Sequence, residues 1–247
     1  MNIKLEDNER IDDLEWKNLK IIQNTDGFCF GIDSVLLSDF SKNIKENSII
    51  ADFGTGTGIV SILLSKKVNP KKIYGIEIQE EVAKMATKSV KLNNLDDVIE
   101  IKQMDIKETD NYFELGYFNA IVTNPPYKKL KTGLINDNEK QLISRHEVKC
   151  SLNGIVEKSF RLLKDKGELY MINRPERLVD IIDSFRKNKI EPKILRLVYS
   201  KVNSKPNLVL IKGVKNAKPS LIIEEPLIIY NEKGDYTDEI LKIYHKK

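Results

Sequence analysis

An alternation of short apolar runs with stretches of helical period constrains the fold more than any other feature of this sequence. Five runs have the length and residue types of buried strands, and they lie at residues 48–53, 71–78, 98–105, 118–124 and 167–174. Between the second and third runs, Val82, Ala86 and Val90 recur on one helical face, and similar stripes follow at 152–163 and 178–185. Strand and helix in repeated order predict an α/β fold with a mostly parallel sheet and helices on both faces.

The C-terminal part of the chain has a different pattern. Residues 194–202, 205–215 and 221–230 have the composition of strands, with no helical stretch between them. We therefore expect antiparallel strands that close one edge of the sheet. Thr237, which two acidic residues follow, predicts the start of a short final helix, because a hydroxyl and negative charge favour a helix N-terminus.

Chain length and composition fit a single domain. The 247 residues are 40% hydrophobic, which is enough for a substantial core, and no linker or internal repeat interrupts them. Within one domain spanning 1–247, we expect an N-terminal segment (1–45), a central core (46–175), and strands and a helix that close the sheet (176–247).

Compartment and partners are constrained as well. The sequence has no run of about 18 apolar residues that could span a membrane, and its charged start is unlike a signal peptide, so we expect a cytoplasmic protein. The isolated cysteines Cys29 and Cys150 and a total of two histidines give no metal-binding pattern, so no metal is expected. A net charge of +4 permits an anionic partner without demonstrating one.

The turn after the first predicted strand has the composition of a ligand site. The stretch ADFGTGTG (51–58) places Gly54, Gly56 and Gly58 between a strand and a helical run. Glycines allow the backbone to approach a ligand closely. In open α/β sheets, ligands bind outside the carboxyl ends of the strands, where the strand order reverses. We therefore expect the ligand at this turn.

Acidic side chains end the next two predicted strands. Glu77 ends the second strand, about 20 residues past the glycines, where a carboxylate accepts hydrogen bonds from both ribose hydroxyls of a nucleoside. Asp105 ends the third strand, where it could face an adenine amino group. We expect Ile78 and Ile106 to line the same pocket. The combination predicts a site for a nucleoside.

Two details identify which nucleoside fits best. A glycine turn with a following acid also occurs in nicotinamide and flavin enzymes, and some glycine turns bind nothing. Here Asp52 precedes the glycines, where its carboxylate would repel a diphosphate but attract a ligand with an ammonium and a sulfonium group. Ile59 stands where a dinucleotide turn requires its last glycine. A cationic nucleoside fits this pattern, and S-adenosylmethionine is that ligand.

The fourth predicted strand ends in an unusual turn, within IVTNPPYKK (121–129). Pro125 and Pro126 make this turn rigid, because proline fixes φ and lacks the backbone N–H. The side-chain oxygen of Asn124 and the carbonyl of Pro125 could accept the two hydrogens of a planar amine and turn its lone pair toward a sulfonium methyl group. Tyr127 could stack on a base. The turn therefore predicts methyl transfer to an exocyclic amine.

Taken together, ADFGTGTG, Glu77, Asp105 and NPPY resemble the class I S-adenosylmethionine-dependent methyltransferases that methylate amino groups. The resemblance covers about residues 45–175. It implies a Rossmann-like, mostly parallel seven-stranded sheet with helices on both faces and an antiparallel C-terminal edge.

Three flanking stretches narrow the resemblance. GFCFGIDSVLLSDF (27–40), SRHE (144–147) and the C-terminal residues 224–244 are similar to bacterial tRNA adenine-N6 methyltransferases. That family modifies the adenine at position 37, immediately 3′ of the anticodon, in tRNA1(Val). The resemblance thus implies that the substrate is the anticodon stem-loop of a tRNA.

The same resemblance implies further site residues. Phe30, Gly31 and Asp33 would cover the methionine end of the cofactor. Residues after the NPPY turn would contact RNA, namely Lys128, Lys129, Lys131, Arg145 and His146. A lone histidine beside Arg and Glu is also typical of a surface or packing group. The sequence gives no indication of the oligomeric state.

Other functions share parts of this pattern. NPPY also occurs in enzymes that methylate the side-chain amide of glutamine, but these resemble one another in a helical domain before the first strand, and about 45 residues are too few for it here. Another RNA or DNA adenine methyltransferase is a further alternative, although sequence-specific readout of DNA requires additional recognition structure. A binding protein with a decayed site is the non-enzymatic alternative.

Overall fold

The computed structural model describes residues 4–25, 31–125 and 151–246, and it places nine strands in one sheet with helices on both faces. The strands are β1 (Glu9–Asp13), β2 (Lys20–Asn24), β3 (Ile49–Phe53), β4 (Lys72–Glu77), β5 (Ile99–Gln103), β6 (Phe118–Thr123), β7 (Leu163–Asn173), β8 (Ile190–Tyr199), β9 (Pro206–Lys215), β10 (Ile222–Ile223) and β11 (Leu227–Ile228). The helices are α1 (Ile32–Phe40), α2 (Ile59–Lys67), α3 (Glu80–Leu92), α4 (Thr109–Tyr112), α5 (Leu152–Leu162), α6 (Leu178–Lys187) and α7 (Asp238–Ile243).

The parallel part of the sheet is confirmed. Its strands β3 to β7 correspond to the five apolar runs of the sequence, and all four pairs between them are parallel. The complete order is β10-β8-β9-β7-β6-β3-β4-β5, with β11 also paired to β8. Because β3 has β4 on one side and β6 on the other, the direction of winding reverses between β3 and β6.

The antiparallel edge is confirmed for β7, β9 and β8, which pair in that order with alternating direction. Two expectations for this edge are wrong. The sheet has nine strands instead of seven, and residues 221–230 form two short strands that run parallel to β8. The chain leaves β9 beside the beginning of β8, where Lys215 faces Ile190, so a segment that returns along β8 must run in the same direction. Pro226 lacks the N–H that a continuous ladder would need.

Two apolar layers cover the faces of the sheet. Side chains alternate along each strand, so Ile50 packs in the layer with α1, α2 and α3, whereas Ala51 packs in the layer with α5 and α6. The predicted helical stripes supply both layers, as with Val90 of α3 and Phe185 of α6. Thr237 caps α7 as predicted, because its hydroxyl accepts a hydrogen bond from the backbone N–H of Ile240 at 3.4 Å.

The hairpin of β1 and β2 packs against α3 and stands apart from the main sheet. The backbone N–H of Ile22 donates to the hydroxyl of Ser89 at 3.0 Å, and that of Lys20 donates to Oδ1 of Asn93 at 2.8 Å. These bonds explain why polar residues interrupt the apolar stripe of α3. Among the described residues, no helix is long and apolar enough to cross a membrane.

Candidate functional site

The candidate site lies where β3 and β6 end side by side. The hydroxyl of Thr123, the last residue of β6, donates to the carbonyl of Phe53, the last residue of β3, at 2.9 Å. This buried bond holds the glycine turn and the Asn-Pro turn next to each other. The winding of the sheet reverses at this point, which is where ligands bind in open α/β sheets.

The glycine turn has a backbone that only glycine adopts easily. Gly54, Gly56 and Gly58 have φ angles of +72°, +57° and +89°. A Cβ atom at Gly54 or Gly56 would meet no described residue within 4 Å, so both face space that a ligand can occupy. A Cβ at Gly58 would instead lie 3.5 Å from the Cβ of Ala86 in α3. The positive φ of Gly58 favours glycine there, and its contact with a ligand stays a prediction.

Glu77 is buried and already engaged by the backbone on both carboxylate oxygens. Its Oε2 accepts a hydrogen bond from the N–H of Gly56 at 3.1 Å, and its Oε1 accepts one from the N–H of Gln79 at 2.9 Å. A carboxylate has about four acceptor positions, so two remain for ribose hydroxyls. The bonds fix the carboxylate beside the open glycine turn, where a nucleoside would need it.

Asp105 lies on the same edge of the sheet as Glu77. The N–H of Met104 donates to the carbonyl of Glu77 at 3.0 Å, which brings the ends of β4 and β5 together. Oδ1 of Asp105 accepts from the N–H of Lys107 at 2.9 Å and so caps a short 3-10 turn that starts at Ile106. The structure therefore brings Glu77, Asp105 and the glycine turn together, and the half-buried Ile78 lies directly after Glu77.

We expected the carboxylate of Asp52 to attract a cationic ligand, but it is buried and accepts hydrogen bonds from neighbouring side chains. Its side chain is 1% exposed, and its Oδ2 accepts hydrogen bonds from the hydroxyls of Thr55 at 2.6 Å and Ser61 at 2.8 Å. Burial raises the pKa of Asp52 to about 6, and the charge of Glu77 adds to the effect. These contacts tie the glycine turn to α2. A direct contact with a ligand stays a prediction.

Replacing Asp52 with Asn should change how stability depends on pH. The raised pKa means that ionised Asp52 destabilises the fold, and this cost appears as pH rises from 3.8, its ordinary pKa, through about 6. Relative to the wild type, Asp52→Asn should gain about 2 kcal/mol of unfolding free energy between pH 4.5 and pH 7.5. Urea denaturation of both proteins at the two pH values measures it. A parallel pH dependence would show that Asp52 titrates normally.

Asn124 follows β6 and contacts the first helix of the described chain. Its Nδ2 donates to the hydroxyl of Ser34 in α1 at 3.4 Å. Pro125 is buried and Asn124 half-buried. This bond ties the Asn124 side chain to α1.

The start of α1 supports this arrangement. Gly31 is the N-cap residue of α1. A Cβ atom at Gly31 would lie only 2.7 Å from Oδ1 of Asp33, so glycine leaves room for that carboxylate. Oδ1 of Asp33 accepts from the N–H of Ser34 at 2.9 Å. The structure thus places Gly31 and Asp33 beside Asn124. No role for Ser34 was predicted from the sequence, and only its position next to Asp33 could have indicated one.

The remaining predicted site residues lie outside the described residues. They are Phe30, Pro126, Tyr127, Lys128, Lys129, Lys131, Arg145 and His146. Among the described residues, no group of three or more His, Cys, Asp or Glu side chains could hold a metal ion.

Comparison with known proteins is consistent with this geometry. The sequence pattern of a family described as methyltransferase small domain matches residues 31–188. A protein of Porphyromonas gingivalis named tRNA1(Val) (adenine(37)-N6)-methyltransferase is 25% identical over an alignment of 237 residues that covers 93% of this chain and 87% of the relative. A Haemophilus influenzae protein of the same name is 24% identical, covering 92% of this chain and 94% of the relative.

Solved structures show the same fold. A predicted O-methyltransferase of Agrobacterium tumefaciens superimposes with a TM-score of 0.69 at 17% identity, covering 86% of this chain and 95% of that protein. The M. jannaschii protein TYW2 in complex with AdoMet gives a TM-score of 0.57 at 16% identity, covering 86% and 88%.

Proposed function

The chain belongs to the methyltransferase small domain family, and on that basis we propose that it transfers a methyl group from S-adenosyl-L-methionine to N6 of the adenine at position 37 of tRNA1(Val). The observation that carries the proposal is the placement of Asn124 beside the open glycine turn, at the reversal point of the sheet. The names of the relatives that match nearly the whole chain support the choice of substrate.

The described residues fit this cofactor. The open space at Gly54 and Gly56 leaves room for a ligand against the backbone, and Glu77 offers two acceptor positions to a ribose. Asp105 would face the adenine amino group, and Gly31 and Asp33 would lie toward the methionine end. When bound, S-adenosyl-L-methionine supplies an electrophilic methyl group on its sulfonium.

The protein contributes orientation more than acid–base chemistry. The exocyclic amine of adenine is a weak nucleophile, because its lone pair is delocalised into the ring. Accepting its two hydrogens at Oδ1 of Asn124 and at the carbonyl of Pro125 turns the lone pair out of that conjugation. Methyl transfer would form the N–C bond while the S–C bond of the sulfonium breaks, which leaves S-adenosylhomocysteine, and the cationic nitrogen would then lose its proton to solvent. In this proposal Tyr127 stacks on the flipped base.

The substrate and its context complete the proposal. The whole chain acts as one methyltransferase domain, in which the N-terminal segment covers the cofactor pocket. The protein acts in the cytoplasm. The anticodon stem-loop is the part of the tRNA that the protein binds. Lysines after the NPPY turn contact the phosphates. A folded RNA presents its own shape, so a compact catalytic domain with a basic rim is sufficient.

Methylation of total tRNA tests the proposal. Labelled S-adenosylmethionine is incubated with the protein and with tRNA from a strain that lacks it, and the nucleosides are then identified by mass spectrometry. We expect N6-methyladenosine in one valine tRNA. Label that enters DNA or a release-factor glutamine, but not tRNA, would support the alternative substrates and contradict the tRNA assignment.

Ser34→Ala should lower turnover without weakening cofactor binding. The change removes an acceptor that helps to position the Asn124 amide, and a hydrogen bond of this kind is worth about 1 kcal/mol, so kcat should fall about fivefold. The KM for S-adenosylmethionine should not change. Ser34→Thr retains the hydroxyl and should restore most of the activity. An equal loss in both variants would indicate a packing role alone.

Replacing Lys128, Lys129 and Lys131 with Ala should weaken tRNA binding and reduce its salt dependence. Each phosphate contact contributes to the slope of log affinity against log salt, so the slope should fall by about 2 units. A filter-binding series at increasing salt measures it. Lys84 and Lys187, which pair with acids of their own helices, provide the control substitutions. An unchanged slope would place the three lysines outside the RNA interface.

A further inference from the structure

The outermost strand of the sheet, β10, presents aliphatic side chains to solvent. Leu221, Ile222 and Ile223 are 44%, 61% and 68% exposed. Every residue from 218 to 226 is exposed. Since consecutive side chains of a strand point to opposite faces, both faces of this strand are uncovered. A run of three exposed aliphatic residues is unusual in a protein that does not use them for binding.

The backbone of β10 also has a free edge. The N–H of Glu224 donates to the carbonyl of Leu195 in β8 at 2.8 Å. Backbone groups alternate in direction along a strand. Because the N–H of Glu224 points toward β8, the N–H and C=O groups of Leu221 and Ile223 point away from it. Within the part of the chain that the structure describes, no strand pairs with this edge. Such an edge is a template for another strand.

The flanks of β10 make the edge complementary to itself. Lys218 precedes the aliphatic run and Glu224 follows it, so an antiparallel copy would place opposite charges near each other. Pro219 and Pro226 lie outside the run and confine the pairing to a few residues.

We propose that β10 pairs antiparallel with β10 of a second copy of this chain, around a twofold axis at Ile222. In this register Leu221 lies opposite Ile223 of the other copy, and the two residues exchange both backbone hydrogen bonds. Ile222 faces its own counterpart, and Glu224 lies diagonally across from Lys218. The inference is independent of the proposed tRNA substrate.

The second copy fits this edge better than RNA or an unrelated protein. Aliphatic side chains offer nothing to a phosphate, whereas the order of basic, aliphatic and acidic residues is complementary to the same order in an antiparallel copy. The twofold pairing is closed, so it stops at a dimer. The strand is short compared with stable interfaces, so the dimer should be weak, with a dissociation constant of about 10 µM.

Sedimentation velocity on the full chain tests the proposal, with protein concentrations on either side of the expected dissociation constant. The wild type should shift from monomer to dimer, and Ile223→Lys should weaken the dimer at least about tenfold. Val179 of α6 is 79% exposed, so Val179→Lys provides a matched control that should dimerise normally. A wild type that stays monomeric throughout, or a dimer that Ile223→Lys leaves intact, would overturn the proposal.

A charge exchange tests the register. Lys218→Glu places an acid diagonally across from Glu224 of the other copy at each end of the pairing. The repulsion should weaken the dimer about fivefold. Adding Glu224→Lys to that variant should restore wild-type affinity. Both residues are exposed, so folding should be unaffected. If the double variant is weaker than the single one, the antiparallel register is wrong.

Discussion

Asn124→Ala should lower kcat about a thousandfold while the dissociation constant for S-adenosylmethionine changes less than about threefold. The substitution removes an acceptor that the proposal places at the reacting amine, so it acts on the transition state. The cofactor contacts at Glu77 and the glycine turn lie on the neighbouring strand ends and remain intact. Single-turnover methylation and calorimetric titration of the cofactor separate the two effects.

Asn119 provides a matched control for this experiment. It lies within β6, near the end of the strand opposite Asn124, and its Oδ1 accepts a hydrogen bond from the N–H of Ile49 at 2.9 Å. Asn119→Ala should therefore lower stability without a specific loss of turnover. Normal methylation by Asn124→Ala would contradict the proposed role of the Asn-Pro turn.

Glu77→Ala should weaken binding of S-adenosylmethionine at least about a hundredfold, because it removes two charge-assisted hydrogen bonds to the ribose. It also removes the acceptor that holds the N–H of Gly56, so the glycine turn should become less well ordered. Calorimetric titration measures the affinity. Turnover at saturating cofactor should be affected less than affinity.

Two further variants separate these contributions. Glu77→Gln keeps one acceptor oxygen and should lose less affinity than Glu77→Ala. Glu100 of β5 pairs with Lys102 on the protein surface, so Glu100→Ala should leave the affinity unchanged. An unchanged dissociation constant in Glu77→Ala would exclude the ribose contact.

Residues whose function depends on local backbone geometry could be identified from the sequence. The spacing of Gly54, Gly56 and Gly58 predicted a turn whose backbone a ligand can approach, and the structure shows positive φ angles at all three. Glu77 ends β4 as predicted, whereas β5 ends at Gln103 and Asp105 lies two residues beyond it, at the start of the 3-10 turn. Periodicity also predicted the parallel sheet, because a strand and a helix bury their apolar residues at different intervals.

Residues whose role depends on distant partners were predicted less well. Asp52 stands next to the glycines, yet its carboxylate accepts bonds from Thr55 and Ser61 and ties the turn to α2. Gly58 belongs to the glycine pattern, but a Cβ there would contact Ala86 of α3 at 3.5 Å instead of facing open space. Neither contact has a signal in the local sequence.

The sequence by itself determined the type of fold and the position of the glycine turn, because these depend on residue type and short-range spacing, and the chemistry of the Asn-Pro turn stays a prediction. Only the tertiary structure decided that Ser34 meets Asn124, which is 90 residues away along the chain. It also decided that residues 222–228 run parallel to β8, since that direction depends on where β9 ends beside its neighbour. Contacts between distant segments are set by the packing of the whole sheet, and local patterns do not encode them.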